Sequence, residues 1–352
     1  MLLVTKGLDI GGIERIVVDL AVGLARRQTP VEVAVVNDAR DGLAGVLRDA
    51  AVSLRALGGG DRIGPAATRR LVQLARSGRY DVVHVHGPLP AIPVRLARSR
   101  VPIVTTSHTL WSALRLPVRM AWRVTSSMDA ASVAVSGAVL ASLPASIAAR
   151  TRVIPHGVDP EAIAAAKSAG GGEKAGVRLV AVASHRDVKN YPNLLRGVQL
   201  ARDLGAAVEL VAVGDGPNLE RHRALARELG LADAVTFQPP SRDVLGIISG
   251  ADILVVASDF EGQPLVVSEA LALGIPVVAT AVGRIPELIS PTVGRIVAPG
   301  DPGALGKAIA ELATDDDLRT GMSRAAPHTG LRWTLDDALD AHEALYQDVL
   351  RR

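Results

Sequence analysis

Two glutamates stand eight residues apart in the second half of the chain, on either side of a turn that leads into a helix. Glu261 follows the apolar run Ile253–Val256, which predicts a buried parallel strand, and Glu269 lies in a helical pattern over Leu265–Leu273. Open α/β sheets bind ligands outside the carboxyl ends of their strands, where Glu261 is expected. Both carboxylates can therefore face one crevice.

The turn between the glutamates has the properties of an anion site. Gly262 and Gln263 stand at the predicted start of the helix. The outward-pointing amides of a helix N-terminus and the helix dipole both favour a negative group there. Gly274 is predicted to end the helix before the next strand. The alternative is a plain strand–helix–strand unit with a polar first turn and an exposed helix glutamate.

The whole string of residues 257–287 resembles glycosyltransferase family 4, the retaining, nucleotide-sugar-dependent enzymes of the GT-B fold. The resemblance is carried by E-G-Q-P at 261–264, E-A at 269–270, G-I-P-V-V at 274–278 and G-R-I-P-E at 283–287. It implies an α/β protein with two Rossmann-like parallel-sheet domains that face a cleft, and a C-terminal helix that returns to the first domain.

The resemblance also implies an enzyme that moves a hexose from a nucleoside diphosphate sugar, of the UDP or GDP type, to a glycan, lipid-linked or small-molecule acceptor. Two alternatives remain open. One is a nucleotide-sugar epimerase or phosphorylase of the same fold, which would isomerise or phosphorolyse its substrate. The other is a non-catalytic GT-B protein that binds a sugar.

In the second half of the chain, the resemblance gives roles to several residues. Glu261 would hold hydroxyls of the donor sugar near the reacting carbon, and Glu269 would hold the ribose. Lys189 matches the lysine that the family places in the first loop of this domain, while Ser184 stands where an arginine is usual. Arg186, two residues later, is expected to take over the arginine's role at the diphosphate. The predicted nucleotide-sugar site further includes Gly214, Gly216, Pro217, Gly262, Gln263, Pro264 and Leu265.

In the first half, Gly11-Gly12 after the first predicted strand resembles the family loop that lies near the donor phosphates and the acceptor, so Gly12 joins the site. His108 resembles a histidine beside the donor sugar and acceptor and is taken as catalytic. His84 and His86 alternate along one strand. No neighbouring carboxylate or cysteine completes a metal site with them, so a polar strand end that faces the cleft is favoured.

No metal or cofactor is expected. The chain has no cysteine, and its Asp cluster at 315–317 is predicted to cap a helix rather than to follow a strand. A nicotinamide dehydrogenase is disfavoured because no G-x-G-x-x-G follows a strand. Cations and helix amides must then stabilise the leaving diphosphate.

Length and composition suit two domains. The chain has 352 residues, of which 48% are hydrophobic and only 2% aromatic, so the cores must be aliphatic. Strands alternate with helical patterns in both halves, which predicts two parallel sheets. We place the first domain at 1–166, a glycine-rich linker at 167–176, the second domain at 177–332 and the returning helix at 333–352.

Charge is unevenly distributed. Residues 1–166 contain 20 basic and 12 acidic residues, and the remainder contains 19 and 24. This favours an anionic partner for the first half, such as a membrane surface, a lipid phosphate or an acidic sugar; arginines that only decorate a solvated surface are the alternative. Nucleic acid is disfavoured because the arginines are dispersed and few aromatics are present.

One predicted helix, from Pro117 to Ser126, contains two arginines and no acidic residue. Val118 and Trp122 share one face and Arg119 and Arg123 the next, which predicts either an interfacial helix or one with its tryptophan packed inward. Neither a signal peptide nor a run of ~20 apolar residues is recognisable. We expect a cytoplasmic protein, in solution or peripheral on the inner face of the plasma membrane.

Overall fold

The computed structural model describes residues 1–39, 41–60, 63–169 and 176–352. These residues form two compact units, one of residues 1–156 with 335–352 and the other of residues 157–334. Each unit contains one parallel sheet, of seven strands in the first and six in the second. The predicted α/β architecture with two parallel sheets is confirmed.

The first unit alternates strands and helices along the chain, and all its neighbouring strands are parallel. The strand order is β3-β2-β1-β4-β5-β6-β7, so the direction of winding reverses between β1 and β4. Its elements up to residue 153 are β1 (Leu2–Thr5), α1 (Gly12–Arg26), β2 (Glu32–Val35), α2 (Ala44–Asp49), β3 (Ser53–Ala56), α3 (Pro65–Ala75), β4 (Val83–His86), α4 (Pro88–Leu96), β5 (Ile103–Ser107), α5 (Leu116–Thr125), β6 (Ala131–Ala134), α6 (Gly137–Ser142), α7 (Ala145–Ala148) and β7 (Thr151–Val153).

The second unit repeats this alternation. Its strand order is β10-β9-β8-β11-β12-β13, so winding reverses between β8 and β11. Its elements are α8 (Pro160–Ala169), β8 (Val177–Val182), α9 (Tyr191–Asp203), β9 (Val208–Val213), α10 (Leu219–Glu228), β10 (Val235–Gln238), α11 (Val244–Ser249), β11 (Ile253–Val256), α12 (Leu265–Leu273), β12 (Val277–Thr280), α13 (Ile285–Leu288), β13 (Gly294–Val297), α14 (Pro302–Thr314) and α15 (Asp316–Gly330).

The central strands explain why the sequence forms parallel sheets. All four residues are buried in β1, β4, β11 and β12, because helices cover both faces. Strands covered on both faces usually have nearly continuous apolar sequences, as β1, β11 and β12 do, whereas β4 alternates valine with buried histidine. Asp315, from the aspartate cluster at 315–317, caps α15 by accepting a hydrogen bond from the Leu318 amide, as predicted.

The boundary between the units differs from the predicted one. We expected the first domain to extend to residue 166, but residues 157–166 belong to the second unit. Val158, Ile163 and Ala166 are buried in a core cluster of that unit, and Val158 forms an isolated parallel bridge with Thr334. Helix α8 is thus held in the second unit by apolar contacts with residues much later in the sequence. Most of the predicted linker, residues 170–175, lies outside the described residues.

The last helix, α16 (Leu335–Leu350), belongs to the first unit. It packs against α1 so closely that a Cβ added at Gly23 would lie 2.6 Å from Leu339 Cδ1. Arg27, the residue that follows α1, also forms ion pairs with Asp336 at 2.7 Å and Glu343 at 3.0 Å. Apolar contact and charge therefore both fix α16 to the first unit.

A buried ion pair organises another part of the first unit. The side chains of Arg95 on α4 and Asp129 before β6 are 0% and 1% exposed, and their closest atoms are 2.5 Å apart. Thr105 and Ser132 also donate hydrogen bonds to the Asp129 carboxylate. A buried ion pair of this kind needs such extra partners, because desolvation of both charges is costly.

Among the described residues, no helix combines the length and apolarity needed to cross a membrane.

Candidate active site

An ion pair lies where the winding of the second sheet reverses. Lys189, in the loop after β8, contacts Glu261, in the loop after β11, with 2.6 Å between Nζ and Oε1. The Ser258 hydroxyl donates to the same carboxylate oxygen at 2.7 Å. Strands β8 and β11 are neighbours, so the fold brings these two loops together at their carboxyl ends. This is the position at which doubly wound sheets bind ligands.

Polar contacts hold the two loops in register. The Asn190 side-chain amide donates to Asp259 at 2.7 Å, and the Asp259 backbone amide donates to the Val188 carbonyl at 2.9 Å. Asn190 has a left-handed backbone, with φ of 43°, and its side chain caps α9 through the Asn193 amide. Asparagine adopts this conformation more readily than most residues. The lysine loop is therefore fixed by contacts within the protein.

A third loop, which follows β12, packs against the loop of Glu261. The Arg284 amide, after β12, donates to the Gly262 carbonyl at 3.3 Å. Gly283 has φ of +56°, and a Cβ there would lie only 2.1 Å from the Glu261 carbonyl oxygen. The backbone of the glutamate loop can approach this closely only because residue 283 lacks a side chain.

The glycines after β9 also allow two backbone segments to pack closely. A Cβ at Gly214 would lie 2.1 Å from the Ala183 carbonyl oxygen, and one at Gly216 would lie 2.6 Å from that of His185. The His185 amide donates to the Asp215 carbonyl, and the Asn218 amide donates back to the His185 carbonyl. The turn that ends in Pro217 therefore lies against the loop that leads to Lys189.

Helix α12 begins beside the ion pair. Its N-cap is Pro264, and in the described part of the chain no side chain caps it, as at helix starts that bind anions. Gln263 is buried, whereas Leu265 and Glu269 on the first turns are partly exposed. Glu269 is the fifth residue of the helix.

The structure separates Arg186 from the ion pair. Arg186 is exposed, and within the described ranges no hydrogen bond or ion pair joins its side chain to another residue. Lys189 is partly buried and already paired. Of the two cations assigned to the diphosphate, Lys189 is thus fixed in place and Arg186 projects into solvent.

In the first unit, predicted site residues follow the neighbouring strands β1, β4 and β5. Gly12 is the exposed first residue of α1. His86 ends β4, and its Nδ1 lies 3.1 Å from Nε2 of His108, which follows β5. The His108 ring also stacks on His156, with 5.5 Å between centroids and 10° between planes.

Burial keeps these imidazoles neutral. It lowers the pKa of His108 to about 3 and the pKa of His86 well below its usual value. Between two neutral rings, one nitrogen must donate and the other accept. His108 is therefore a fixed hydrogen-bonding group at neutral pH rather than a cation.

The expectation that both strand histidines face a crevice is wrong for His84. Its ring is fully buried, and its two nitrogens bond to the Tyr346 hydroxyl on α16 and to the Thr106 hydroxyl, each at 2.7 Å. His84 thus links β4 to the last helix. No group of three or more histidine, aspartate or glutamate side chains in the described part of the chain has the arrangement of a metal site.

Lys189 and Glu261 were each predicted from the sequence, but the residues that support them were not. Ser258, Gly283 and the pair of Asn190 with Asp259 hold Lys189 and Glu261 in place. One signal was available for Ser258, which is the first polar residue after the apolar run of β11. The other supports depend on contacts between loops that are far apart in sequence, and no local sequence pattern indicates such contacts.

Replacement of Gly283 by alanine should disturb the glutamate loop. The left-handed backbone and the contact with the Glu261 carbonyl together predict a loss of about 2–4 kcal/mol in the free energy of unfolding. Gly300→Ala is the matched control, because Gly300 also has positive φ, of +71°, but has open space around it. It should lose only about 1–2 kcal/mol. Urea denaturation of both full-length variants measures the difference; equal losses would contradict the close contact.

Two family models together match most of the chain. Glycosyltransferase Family 4 matches residues 10–162, and Glycosyl transferases group 1 matches residues 169–329. A D-inositol 3-phosphate glycosyltransferase of Saccharomonospora viridis is 30% identical over 78% of this chain and 71% of that protein. A protein of the same name from Xylanimonas cellulosilytica is 29% identical over 98% and 93% of the two chains.

Solved structures share the fold at low sequence identity. Anabaena HepE, determined in complex with UDP and glucose, superposes with a TM-score of 0.84 at 18% identity and covers 99% of both chains. The GT-B fold implied by the sequence resemblance is thereby confirmed. On these matches, the chain belongs to glycosyltransferase family 4 and is a glycosyltransferase.

Proposed function

We propose that the protein transfers a sugar from a nucleoside diphosphate sugar to an anionic acceptor, with retention of the anomeric configuration. The observation that carries this proposal is the ion pair of Lys189 with Glu261 at the reversal point of the second sheet. It combines a cation for a phosphate and a carboxylate for sugar hydroxyls beside the start of α12.

The cation suits a leaving diphosphate. Lys189 forms an ion pair with Glu261, and the Ser258 hydroxyl donates a hydrogen bond to the same carboxylate. A bound diphosphate would let the ammonium group turn to a phosphate oxygen while Ser258 retains Glu261. A positioned cation and the amides at the start of α12 stabilise the charge that develops as the glycosidic bond breaks. This supports catalysis without a metal or cofactor.

Carboxylates suit the hydroxyls of the donor. Glu261 would accept hydrogen bonds from the donor sugar, and Glu269 would accept them from the ribose diol, because an ionised carboxylate is only an acceptor. The turn of Gly214, Gly216 and Pro217 would lie beside the nucleotide. Anabaena HepE was solved with UDP, which supports a donor of the UDP type.

We assign the acceptor to the first unit. Gly12 at the start of α1 would let the acceptor or donor phosphate approach the backbone. The neutral His108 would orient the acceptor hydroxyl by a hydrogen bond, since its pKa of about 3 leaves it uncharged at neutral pH. In the reaction, the acceptor oxygen bonds to the anomeric carbon on the face that the phosphate leaves. The acceptor proton passes to a phosphate oxygen, and nucleoside diphosphate is released.

The names of the relatives narrow the acceptor class. Two of them are D-inositol 3-phosphate glycosyltransferases. We therefore propose an acceptor with a hydroxyl for transfer and a phosphate for recognition, a chemistry that a free polyol phosphate and a phosphorylated lipid headgroup share. The excess of arginine in residues 1–166 supports an anionic acceptor.

A donor panel tests the proposed function. The full-length protein is incubated with UDP-, GDP- and ADP-sugars, with D-inositol 3-phosphate or phosphatidylinositol vesicles as acceptors, and products are followed by NMR. Transfer with an unchanged anomeric configuration supports the proposal. Donor isomerisation would instead indicate an epimerase, and no turnover with any donor would indicate a binding protein.

Replacement of Glu269 and Glu261 should affect different steps. Glu269→Ala should weaken nucleotide binding by about 10- to 150-fold, the effect of about 1.5–3 kcal/mol from a charge-assisted hydrogen bond. Glu261→Gln should mainly lower kcat, because it removes the charge near the reacting carbon. Glu228→Ala, at the exposed end of α10, is the control and should change neither. Calorimetry with the nucleoside diphosphate measures binding; undiminished affinity for Glu269→Ala would remove the ribose assignment.

Replacement of the two cations separates their roles. Lys189→Ala should lower kcat by about 100- to 1000-fold, the scale for loss of one group that stabilises developing charge. Arg186→Ala should lower it as well, if a bound diphosphate draws that exposed side chain to the site. Lys307→Ala, on the exposed face of α14, should leave kcat unchanged. Full activity of Arg186→Ala would leave Lys189 as the cation of this loop and end the case for a displaced arginine.

A further inference from the structure

An exposed apolar stripe runs along α5 in the first unit. Leu116, Met120 and Val124 stand four residues apart on this helix and are 63%, 58% and 73% exposed. Met128, four residues further in the following 3-10 turn, is 41% exposed. We call these four residues the α5 stripe. Side chains four apart lie on one face of a helix, so the stripe is a continuous surface.

The stripe is not the face that the sequence predicted. We expected Val118 and Trp122 to form the interfacial face or to pack inward, and the structure shows that Trp122 packs inward, with only 3% exposed. The Arg95 guanidinium lies over the Trp122 ring, 4.2 Å from its centroid, and is itself held by Asp129. The buried ion pair therefore fixes the rotation of α5 and turns Leu116, Met120 and Val124 outward.

Positive charge surrounds the α5 stripe. Residues 82–128 contain six arginines and no acidic residue. Arg95 is buried with Asp129, but Arg115, just before α5, and Arg123, on α5, are exposed. Exposed Arg98 and Arg100 line an open depression that Met128 also borders. An apolar strip is thus bordered by arginines, and Asp129, which follows Met128 in the same depression, is buried and paired with Arg95.

We propose that the α5 stripe and its arginines dock the protein on an anionic lipid bilayer. The apolar side chains would enter the boundary between headgroups and acyl chains while the arginines contact lipid phosphates, as in helices that lie in the membrane interface. This inference concerns where the enzyme acts and does not depend on the donor or acceptor proposed above.

A bilayer fits this surface better than a second copy of the chain. A stable protein interface needs about 20–30 residues from each partner, whereas the stripe has four. Two copies would also bring like-charged arginines together. An anionic bilayer supplies apolar depth and neutralising phosphates at once. Each arginine near such a surface adds about fivefold in affinity, so a few of them give reversible docking.

Vesicle flotation tests the proposal. Full-length protein is mixed with vesicles of phosphatidylglycerol and phosphatidylcholine, or of phosphatidylcholine alone. We expect binding to the anionic vesicles only, and weaker binding when the ionic strength rises from about 0.1 M to about 1 M, which shortens the Debye length from about 10 Å to about 3 Å. Arg115→Glu/Arg123→Glu should lose at least about twentyfold in affinity. Met120→Ser/Val124→Ser should also bind more weakly.

Matched variants make the result specific to this face. Arg26→Glu/Arg48→Glu makes the same charge change at exposed positions of α1 and α2, and Leu204→Ser/Leu350→Ser removes apolar side chains that are each 53% exposed elsewhere. Both controls should bind as the unchanged protein does. An equal loss in the controls, or no preference for anionic vesicles, would overturn the proposal. So would a dimer in sedimentation velocity without lipid that Val124→Asp dissociates.

Discussion

The ion pair of Lys189 with Glu261 is the interaction to which the loops of the second unit are fitted. Its two members come from adjacent strands whose carboxyl ends meet where the winding of the sheet reverses. Two opposite charges held 2.6 Å apart need their other partners fixed, and Ser258 holds the carboxylate while Asn190 and Asp259 hold the lysine loop. Gly283 then allows the loop after β12 to contact the Glu261 backbone closely. Contacts within the protein therefore hold the charged pair in place, and a preorganised site has a lower ordering cost of binding.

Two buried polar networks organise the first unit. Arg95 and Asp129 form a buried pair among α4, α5 and the start of β6, and His84 joins β4 to α16 through Tyr346. Each buried polar group constrains what its neighbours can do. Because Arg95 lies over Trp122, the largest apolar side chain of α5 faces the core and smaller ones face outward. A structural ion pair in this way determines the character of an external surface.

The sequence was sufficient for the features that depend on local pattern. The apolar run Ile253–Val256 predicted β11, and Gly274 marked the end of α12, because buried parallel strands and helix ends have strong local signals. The domain boundary and the face of α5 could not be predicted. The first depends on Val158 and Ile163 packing against residues far ahead, and the second on Arg95, more than 20 residues before Trp122. Such long-range contacts carry no periodicity.

The division of the chain has a consequence for its synthesis. The core of the first unit includes Leu339, Leu345 and Val349 from the last helix, whereas residues 157–334 form the second unit by themselves. Residues 1–156 are made first, yet their core is complete only after residues 335–349 have also been made. At about 5–20 residues per second, that wait is on the order of 10–40 seconds. The second unit can therefore complete its core before the first does. During that time the apolar face of α1 that packs against α16 is uncovered, and a chaperone could bind it.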